Sequence, residues 1–386
     1  IKNLNSLNSY INYEVQNEST YIKTSVESYE NLSKVKSQRY EFVYPNIEYS
    51  NIIDLNSKYN GNLNFNLNGY NKNYNSNAYD SILINNLEYE SFDYLLSNGV
   101  KNKFNVLLKN INSNGENSTS FKEGTDNKLL SSFIFSSTYP LKKEGNKFNS
   151  YINPKIAFRY SPSETKNINN IERRIDINNV FATNRIGRND VVEGGQSITL
   201  GSEYKLTNLE NNNDYLLFNI ATVFRDVENP DLPTKSTIGN KSSDFLGKFK
   251  YIPNKNLDFE YNFSLDNSLD RSNYDSIKTS LSINNFITTF EYLNEDGPIG
   301  NESYIENKSS YDFDGTNSLA FSTRKNRKTD LTEFYNLIYE YKNDCLSAAI
   351  EYNKEYYTDN DLKPTEQLFF KITIIPFGKI NSPNIN

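Results

Sequence analysis

The segment Asp176–Gly201 concentrates side chains that can form charge-assisted hydrogen bonds. It reads DINNVFATNRIGRNDVVEGGQSITLG and sets arginines close to carboxylates. The candidate residues are Asp176, Asn184, Arg185, Arg188, Asp190, Glu193, Gly194 and Gly195. One interpretation is a solvated loop that ends in an ordinary Gly-Gly turn. The other is that arginine–carboxylate pairs hold the segment against the wall of the protein, since such bonds are short and strong.

A second cluster is the basic run Arg324-Lys325-Asn326-Arg327-Lys328. Its charged members, Arg324, Lys325, Arg327 and Lys328, suit contact with phosphate groups, but a charge run is also typical of a solvated face. The nearby stretch Asp312–Gly315 resembles part of a calcium loop. It lacks the remaining ligands and the closing Glu, so it indicates a turn.

The composition excludes much catalytic chemistry. The 386 residues include no His and one Cys, so a Ser-His-Asp relay, a Cys-His pair, and zinc or iron–sulfur sites cannot be built. We therefore expect no enzyme activity and no cofactor, metal or nucleotide. The net charge of −7 offers no basic footprint, so we expect no nucleic-acid partner.

The start of the sequence indicates that residues precede it in the full protein. The sequence contains no Met and starts at Ile1 in mid-pattern, which indicates a piece of a longer protein whose signal peptide lies upstream. No run approaches ~18 apolar residues, so no transmembrane helix is predicted.

The dominant local pattern has a period of two. Asn62–Asn68 reads NLNFNLN, and Leu257–Asp266 reads LDFEYNFSLD, so apolar residues fall on one face and polar residues on the other. Looser runs of the same kind recur along the chain, separated by turn clusters at Asn112–Asn117, Lys142–Asn146 and Asn208–Asp214. Helical spacing is nowhere sustained. The pattern predicts an all-β protein.

Two architectures use this alternation. A soluble sandwich turns its polar faces to water, whereas a transmembrane barrel turns its apolar faces to lipid and its polar faces to a wet lumen. At ~9–11 residues per crossing plus turns, about 20 residues per strand, the chain would supply ~18–20 strands. The 30 Tyr and 24 Phe suit aromatic girdles at the membrane interfaces. We therefore favour the barrel.

Three stretches carry a resemblance to a known family. They are the Asp176–Gly201 segment, SSDFLG followed by YIP around Ser243–Pro253, and the stretch Tyr341–Gly378. In residue type and order they resemble the barrel of the lipopolysaccharide-assembly outer-membrane proteins, LptD, also called organic solvent tolerance proteins. The resemblance is weaker before Asp176, where it rests on Phe42–Ser50 and Tyr151–Pro162.

The resemblance implies a large antiparallel transmembrane β-barrel in the bacterial outer membrane, here incomplete, with the N-terminal domain and first strands missing. The family barrel has ~26 strands, within the range known for single-chain barrels. We expect one barrel domain over residues 1–386, a long inserted loop at 161–195 and a C-terminal tail at 379–386.

The resemblance also implies a function. The family inserts lipopolysaccharide into the outer leaflet through a polar lumen and a lateral gate between the first and last strands. Gln367–Phe377 is the predicted last strand, and Pro376 suits an edge because it cannot donate to a ladder. The gate candidates are Gln367, Phe369, Lys371, Thr373, Pro376 and Phe377. By strand count the basic run lies in an extracellular connection, facing phosphates of lipopolysaccharide.

Cys345 is the single cysteine. An odd Cys in an exported protein suggests a partner elsewhere. Counting strands back from a periplasmic C-terminus puts the Lys342–Cys345 turn on the periplasmic side. The resemblance implies a disulfide from this position to the missing N-terminal domain.

The implied partners are lipopolysaccharide, membrane lipids, a lipoprotein plug like LptE in the lumen, and periplasmic bridge proteins reached through the missing domain. Other classes remain open. A general porin or a receptor barrel shares the composition and periodicity, and a surface solenoid or adhesin would show a repeat of fixed period, which the sequence lacks.

Overall fold

The structure, a computed structural model, describes residues 6–55, 60–74, 77–296, 300–356, 364–374 and 378–381. Pro376 and Phe377, two of the predicted gate residues, lie outside the described residues, as does most of the connection before the predicted last strand.

The described residues form 22 β-strands and two short 3₁₀ helices. The strands are β1 (Ser6–Gln16), β2 (Thr20–Asn31), β3 (Tyr40–Asp54), β4 (Gly61–Tyr74), β5 (Tyr79–Ser91), β6 (Tyr94–Leu95), β7 (Lys101–Glu116), β8 (Gly124–Thr138), β9 (Leu141–Lys143), β10 (Phe148–Ser161), β11 (Gly195–Asn208), β12 (Asp214–Arg225), β13 (Phe245–Asn254), β14 (Leu257–Leu265), β15 (Ser272–Ile283), β16 (Phe286–Glu295), β17 (Ser303–Asp312), β18 (Asn317–Asn326), β19 (Leu331–Lys342), β20 (Leu346–Glu355), β21 (Thr365–Ile374) and β22 (Gly378–Asn381). The 3₁₀ helices are Lys36–Gln38 and Thr237–Gly239. Three of the strands, β6, β9 and β22, have four residues or fewer.

Neighbouring strands pair in antiparallel fashion along the chain. The registers run, for example, Ser6↔Asn31 for β1 with β2, and Leu346↔Ile374 for β20 with β21. Short connections favour this arrangement because antiparallel strands need only a tight turn between them. The predicted all-β, antiparallel architecture is confirmed. Within the described part of the chain, no helix has the length and apolar character needed to span a membrane.

The strand faces have a polarity opposite to that of a soluble protein. On β11, Ser197 and Thr199 are buried, while the alternate residues Ile198 and Leu200 are exposed. On β5, Leu83 and Leu87 are likewise exposed. Because successive side chains point to opposite faces of a strand, β11 has a polar buried face and an apolar exposed face, whereas the buried face of β5 also carries Ile82 and Ile84. This is the pattern of a strand whose outer face meets lipid.

The chain divides into two compact units, of which the first comprises residues 1–140, 154–201 and 222–243. It contains strands β1 to β8 and the two longest connections, which we call the long loop (residues 162–194) and the second loop (residues 226–243). The connections that alternate with these are short, for example residues 17–19 and 96–100. Short turns alternating with long loops are typical of outer-membrane barrels.

The second unit comprises residues 141–153, 202–221 and 244–386. It contains the antiparallel run from β13 to β22. The stretch SSDFLG contributes to its packing, since the Asp244 carboxylate accepts hydrogen bonds from Ser264 (2.7 Å) and Asn273 (2.8 Å). Gly247 lies opposite Phe263, whose ring occupies the space of a Cβ.

Two predicted turns overlap strands of the structure. Asn112–Asn117 was expected to be a turn, but β7 continues to Glu116. Its asparagines are held in strand geometry by an amide ladder: Asn112 donates to Asn110 at 2.6 Å, and Asn127 of β8 donates to Asn112 at 2.6 Å. A side chain that favours turns is tolerated in a strand when neighbouring amides satisfy it. The first two residues of the predicted Lys142–Asn146 turn likewise belong to the short strand β9.

The C-terminal prediction also needs correction. The predicted last strand, Gln367–Phe377, corresponds to β21, but β22 follows it and pairs with it over Lys371–Ile374. Part of the expected tail at 379–386 therefore belongs to a strand. The physical reason is that an edge strand offers backbone donors and acceptors on which a returning chain can pair.

Candidate functional site

The long loop is packed rather than solvated. Six of its apolar side chains are buried, and they are Ile168, Ile175, Val180, Ile186, Val191 and Val192. A solvated loop of this length would leave such side chains in water. Burial on this scale favours a fixed position for the loop against the strands of the first unit.

Glu193 is the centre of the charged contacts. Its carboxylate accepts two hydrogen bonds from Arg185 of the same loop, at 2.7 and 2.5 Å, and one from Arg225 at the end of β12, at 2.5 Å. Arg159 of β10 lies 3.9 Å away. All four side chains are buried. One carboxylate thus joins the long loop to two strands, and the bidentate Arg185 geometry is the strongest kind of such a pair.

The electrostatics follow from this arrangement. Burial by itself raises the pKa of the Glu193 carboxyl, but the Arg185 charge and hydrogen bonds, with the charges of Arg159 and Arg225, outweigh burial. The pKa is therefore held well below its usual range. Glu193 stays ionised in the folded protein at neutral pH, as a carboxylate surrounded by cations should.

The two glycines after Glu193 are explained by space and backbone geometry. A Cβ on Gly194 would lie 2.2 Å from the Ser163 carbonyl oxygen. Gly195 has φ +82°, in the left-handed region that favours glycine. The Gly194 amide donates to the Thr165 hydroxyl at 2.8 Å, and the Gly194 carbonyl accepts from Arg225 at 2.5 Å. The Gly-Gly pair therefore allows the end of the long loop to pack closely against its start, at Ser163 and Thr165.

The second loop packs on the long loop. Asn229 donates to the Thr165 hydroxyl at 2.7 Å, and the Ile168 amide donates to the Asp231 carbonyl at 2.8 Å. Leu232 and Ile238 of the second loop are buried. The two loops therefore form one hydrogen-bonded layer.

A second ion cluster surrounds Asp190. Arg188 binds its carboxylate in a bidentate fashion, at 2.7 and 2.8 Å, and Lys166 binds it at 2.8 Å. Burial works to raise the pKa of Asp190, but these hydrogen bonds outweigh it and lower the pKa to about 2. The Lys166 ammonium also lies 5.0 Å from the centre of the Phe121 ring.

A cavity of about 380 Å³ lies between the long loop and the polar strand faces of the first unit. The strands contribute asparagines, serines and carboxylates to its wall, including Asn66, Asn68, Asn86, Glu48 and Glu88. The long loop contributes Asn184, Asn189 and Glu193. Lys109 of β7 also lines the cavity and donates to the Asn189 carbonyl at 2.6 Å.

Two of the predicted loop residues act locally. The Asp176 carboxylate accepts from the Asn178 amide at 2.8 Å, and the Asn184 side chain bridges the Gly187 amide and the Arg188 carbonyl, each at 3.0 Å. Both stabilise turns of the long loop. Only Asn184 of the two also lines the cavity.

Sequence reasoning missed Arg159, Arg225 and Lys109. Each lies on a strand and far in sequence from its partner in the long loop. The sequence does place these cations within strands. A cation that is buried in a strand needs a counter-charge or hydrogen-bond acceptors, so a partner elsewhere in the chain could have been expected. Without the fold, that partner could not be named.

The basic run is largely paired with its neighbours. Arg324 and Lys325 lie on β18, not in the connection after it. Arg324 contacts the Glu333 carboxylate at 2.8 Å, and Lys325 contacts the Asp330 carboxylate at 2.6 Å. These two residues are drawn into the strand because β18 and β19 pair up to Asn326.

Arg327 and Lys328 occupy the turn itself. Arg327 donates to the Tyr292 hydroxyl at 3.1 Å, and Lys328 donates to the Glu295 carbonyl at 3.1 Å. These contacts hold the turn on neighbouring strands.

The remaining predicted residues lie in the second unit. Cys345 is exposed in the turn between β19 and β20. Gln367, Phe369, Lys371 and Thr373 share one face of β21, where Phe369 is buried and Lys371 pairs with Glu351 of β20.

Comparison with known proteins then identifies the family. The family model described as LptD, LPS transport system D, matches residues 2–324. The chain belongs to the LptD family. It is a bacterial outer-membrane protein of lipopolysaccharide transport. The match ends within β18, so the resemblance noted at Tyr341–Gly378 lies beyond it. The family assignment made from the sequence is confirmed.

No curated protein matches the chain. Among solved structures, the siderophore receptor PirA from Acinetobacter baumannii is similar at 8% identity, with 96% of this chain and 71% of that chain covered and a TM-score of 0.44. The ferric-catecholate import receptor Fiu from E. coli K12 gives 10% identity, 96% and 74% coverage and a TM-score of 0.43. A mutant porin of Rh. blastica gives 10% identity, 72% and 86% coverage and a TM-score of 0.28.

The Glu193 contacts predict a large loss of stability in Glu193→Gln. Removing one partner of a buried ion cluster leaves uncompensated charge and typically costs ~3–5 kcal/mol. We expect the variant to unfold at a lower urea concentration than the parent in detergent, and the long loop to become sensitive to protease.

A matched control is Glu172→Gln, which removes a carboxylate from the same loop. Glu172 is 78% exposed in its pair with Lys235, so the change should be nearly neutral. Equal effects of the two substitutions would show that Glu193 has no special role in holding the loop.

The Asp190 cluster predicts a pH dependence. Because the folded pKa is lowered to about 2, the pairing of Asp190 stabilises the docked loop fully above pH ~4 and is lost as the pH falls from ~4 towards 2. The sequence contains no Trp, so Phe121→Trp provides a single tryptophan beside Lys166, whose emission can be excited selectively over that of the tyrosines. We expect its emission to change in this pH window.

In an Asp190→Asn background the same reporter should lack that transition, since the amide does not titrate. Far-UV circular dichroism at each pH checks that the strands persist. An unchanged transition in Asp190→Asn would assign it to another group.

Proposed function

We propose that this chain delivers lipopolysaccharide into the outer leaflet, passing the sugar portion through a polar lumen and releasing the lipid portion through a lateral gate. The observation that carries the proposal is the inverted polarity of the strands. Asparagine, serine and carboxylate side chains line a cavity on the inner face, while leucine and isoleucine lie exposed on the outer face.

The chemistry of the substrate calls for both faces. Sugar hydroxyls exchange hydrogen bonds readily with amides and carboxylates, so a polar interior suits them. Acyl chains belong in hydrocarbon and would lose free energy in a wet lumen. A molecule with both parts can cross only if the wall opens sideways, with the lipid always outside.

We propose that the first side of the gate is formed by family strands that precede β1 in the full-length protein.

At the other end of the sequence, we propose that β21 and β22 together form the second side of the gate. Gln367, Phe369, Lys371 and Thr373 would face the interior, and the β22 ladder covers only four residues of β21. Pro376 and Phe377, between the two strands, retain their proposed place at the gate.

The long loop would act as a cap that shapes the lumen. Glu193 and the arginines around it, together with Gly194 and Gly195, anchor its C-terminal end. Asp190 and Arg188 anchor its middle, and Asp176 and Asn184 stiffen its turns. We propose that this cap narrows the path on the side of the first unit.

We propose further that residues 1–386 belong to one outer-membrane barrel domain, preceded by a periplasmic domain. The proposed partners are a lipoprotein plug like LptE, bridge proteins reached through the upstream domain, and membrane lipids. Transport without bond chemistry needs no catalytic residue, cofactor or metal.

Only two of the four charged residues in the basic run are proposed to contact lipopolysaccharide. Arg324 and Lys325 are engaged by carboxylates, so Arg327 and Lys328 are the better candidates for contact with lipopolysaccharide phosphates. The alternative function, a porin or receptor, would use the same strand faces but would not require contact with lipopolysaccharide inside.

A photo-crosslinking experiment tests the route. A benzophenone amino acid is placed at Asn86, which lines the cavity, or at Leu87, which is exposed on the outer face. In cells that rely on the full-length variant, we expect Asn86 to form a lipopolysaccharide adduct that disappears when the supply of new lipopolysaccharide stops.

The Leu87 variant is the control, because any adduct it forms with resident outer-leaflet lipid should persist when supply stops. A functional Asn86 variant with no lipopolysaccharide adduct would overturn the polar route and favour a porin or receptor.

We also propose that Cys345 forms a disulfide with the upstream periplasmic domain, because it is exposed in a short turn. In full-length protein from native membranes, Cys345 should resist alkylation until a reductant is added, and Cys345→Ser should abolish the mobility shift caused by reduction. Alkylation of Cys345 without reductant would refute the disulfide.

A further inference from the structure

The turn between β6 and β7 carries an Asn-Gly pair, Asn98 and Gly99, that lies outside the strands. Asn98 is exposed, and Gly99 has φ +88°, in the left-handed region. An asparagine followed by glycine is prone to internal reaction, because glycine has no side chain to shield its amide nitrogen. The sequence contains three further pairs of this kind, Asn60–Gly61, Asn68–Gly69 and Asn114–Gly115.

Deamidation of an asparagine begins with its own main chain. The amide nitrogen of the next residue attacks the side-chain carbonyl carbon, and a succinimide ring forms as ammonia leaves. The main chain must rotate at the asparagine for this attack, so strand pairing on both sides opposes it and a locally opening turn allows it. Backbone freedom therefore decides which Asn-Gly pair reacts, and the sequence does not show that freedom.

The three further pairs are fixed by strand pairing, and the glycine of each is buried. Gly69 lies in the interior of β4, between its partners on β3 and β5. Gly61 pairs with Ser91 of β5, and Gly115 pairs with Asp80 of β5. Rotation at any of these positions would break the ladder around it. We therefore expect these pairs to react slowly in the folded protein.

The described hydrogen bonds of Asn98 and Gly99 lie within the turn itself. The Gly99 amide donates to the Leu96 carbonyl at 2.9 Å, and the Val100 amide donates to the Asn98 side-chain oxygen at 3.2 Å. Among the described contacts of the four asparagines, this is the one backbone N–H given to a side-chain oxygen. That oxygen gains negative charge when its carbon is attacked, so a nearby N–H donor stabilises the developing charge.

We propose that Asn98 is a site of spontaneous deamidation. The Gly99 nitrogen loses its proton to solvent base and bonds to the side-chain carbon of Asn98, and the amide group takes a proton from water and leaves as ammonia. Water then adds to either carbonyl of the ring and opens it, which leaves aspartate or isoaspartate at position 98. Water is the co-reactant, and nothing is oxidised or reduced.

The product changes both the charge and the length of the turn. A new carboxylate at position 98 shares the hairpin with the pair of Lys101 and Asp93, whose charged atoms lie 4.0 Å apart. Isoaspartate also places one more carbon in the main chain, which displaces the Val100 amide from the side chain of residue 98. The cavity is lined by other residues, so this proposal does not depend on the proposed transport function.

Peptide mass spectrometry of the full-length protein tests the proposal. The protein is kept folded in detergent at mildly alkaline pH, which favours loss of the amide proton, and is then digested with trypsin. Peptides 59–72, 73–101 and 110–122 cover all four pairs. We expect conversion at Asn98 to be faster than at the other three asparagines by about ten-fold or more, the ratio that ~1.4 kcal/mol in local opening gives.

Three controls separate the effect of the fold from that of the dipeptide. Digestion in heavy-oxygen water marks conversion that occurs during preparation, and an isoaspartate-specific methyltransferase labels the rearranged product. In urea the four pairs should react at similar rates, because the strands that protect three of them are unfolded. Asn98→Gln should remove the fast reaction, since the longer side chain disfavours ring closure, whereas Asn114→Gln should leave it unchanged.

Each outcome decides the proposal. Fast conversion in peptide 73–101 of the folded protein, lost in Asn98→Gln and kept in Asn114→Gln, supports it. Conversion at Asn98 that is no faster than at Asn114 in the folded protein overturns it. Fast conversion that persists in Asn98→Gln also overturns it, because another residue of the peptide would then be the site.

Discussion

A single buried carboxylate organises the charged interior of the first unit. Glu193 receives hydrogen bonds from Arg185 and Arg225 and lies close to Arg159, so the long loop, β10 and β12 are held together at one point. Desolvating these groups is expensive, and the arrangement persists because each charge has a partner or a backbone acceptor. Gly194, next to this carboxylate, donates to the Thr165 hydroxyl, which also accepts a hydrogen bond from Asn229 of the second loop.

The strands around that point have polar inner faces and apolar outer faces. In water these strand faces would be unfavourable, because exposing leucine and isoleucine side chains to water costs free energy. In a bilayer the same pattern satisfies both sides, because the apolar face meets lipid and the polar face meets water. Membership of the LptD family gives the pattern its biological setting, which is lipopolysaccharide transport in the outer membrane.

The cavity links the two features. Its wall combines amides such as Asn66 and Asn86 with carboxylates and with the buried cations Arg159 and Lys109. Both cations donate hydrogen bonds to carbonyls of the long loop, so the strand wall and the loop are held together across the space that the cavity occupies.

The sequence alone determined the fold class, because alternation such as NLNFNLN is local and strand geometry obliges it to place polar and apolar groups on opposite faces. It also drew attention to Arg185, Asp190 and Glu193, whose opposite charges are close in sequence. Only the tertiary structure decided that Arg159, Arg225 and Lys109 belong to the same site. It also decided that β22 follows β21 and that Asn112 lies in a strand. The reason is physical: charge partners and ladder partners are chosen by distance in space, and those residues meet only after the strands have paired.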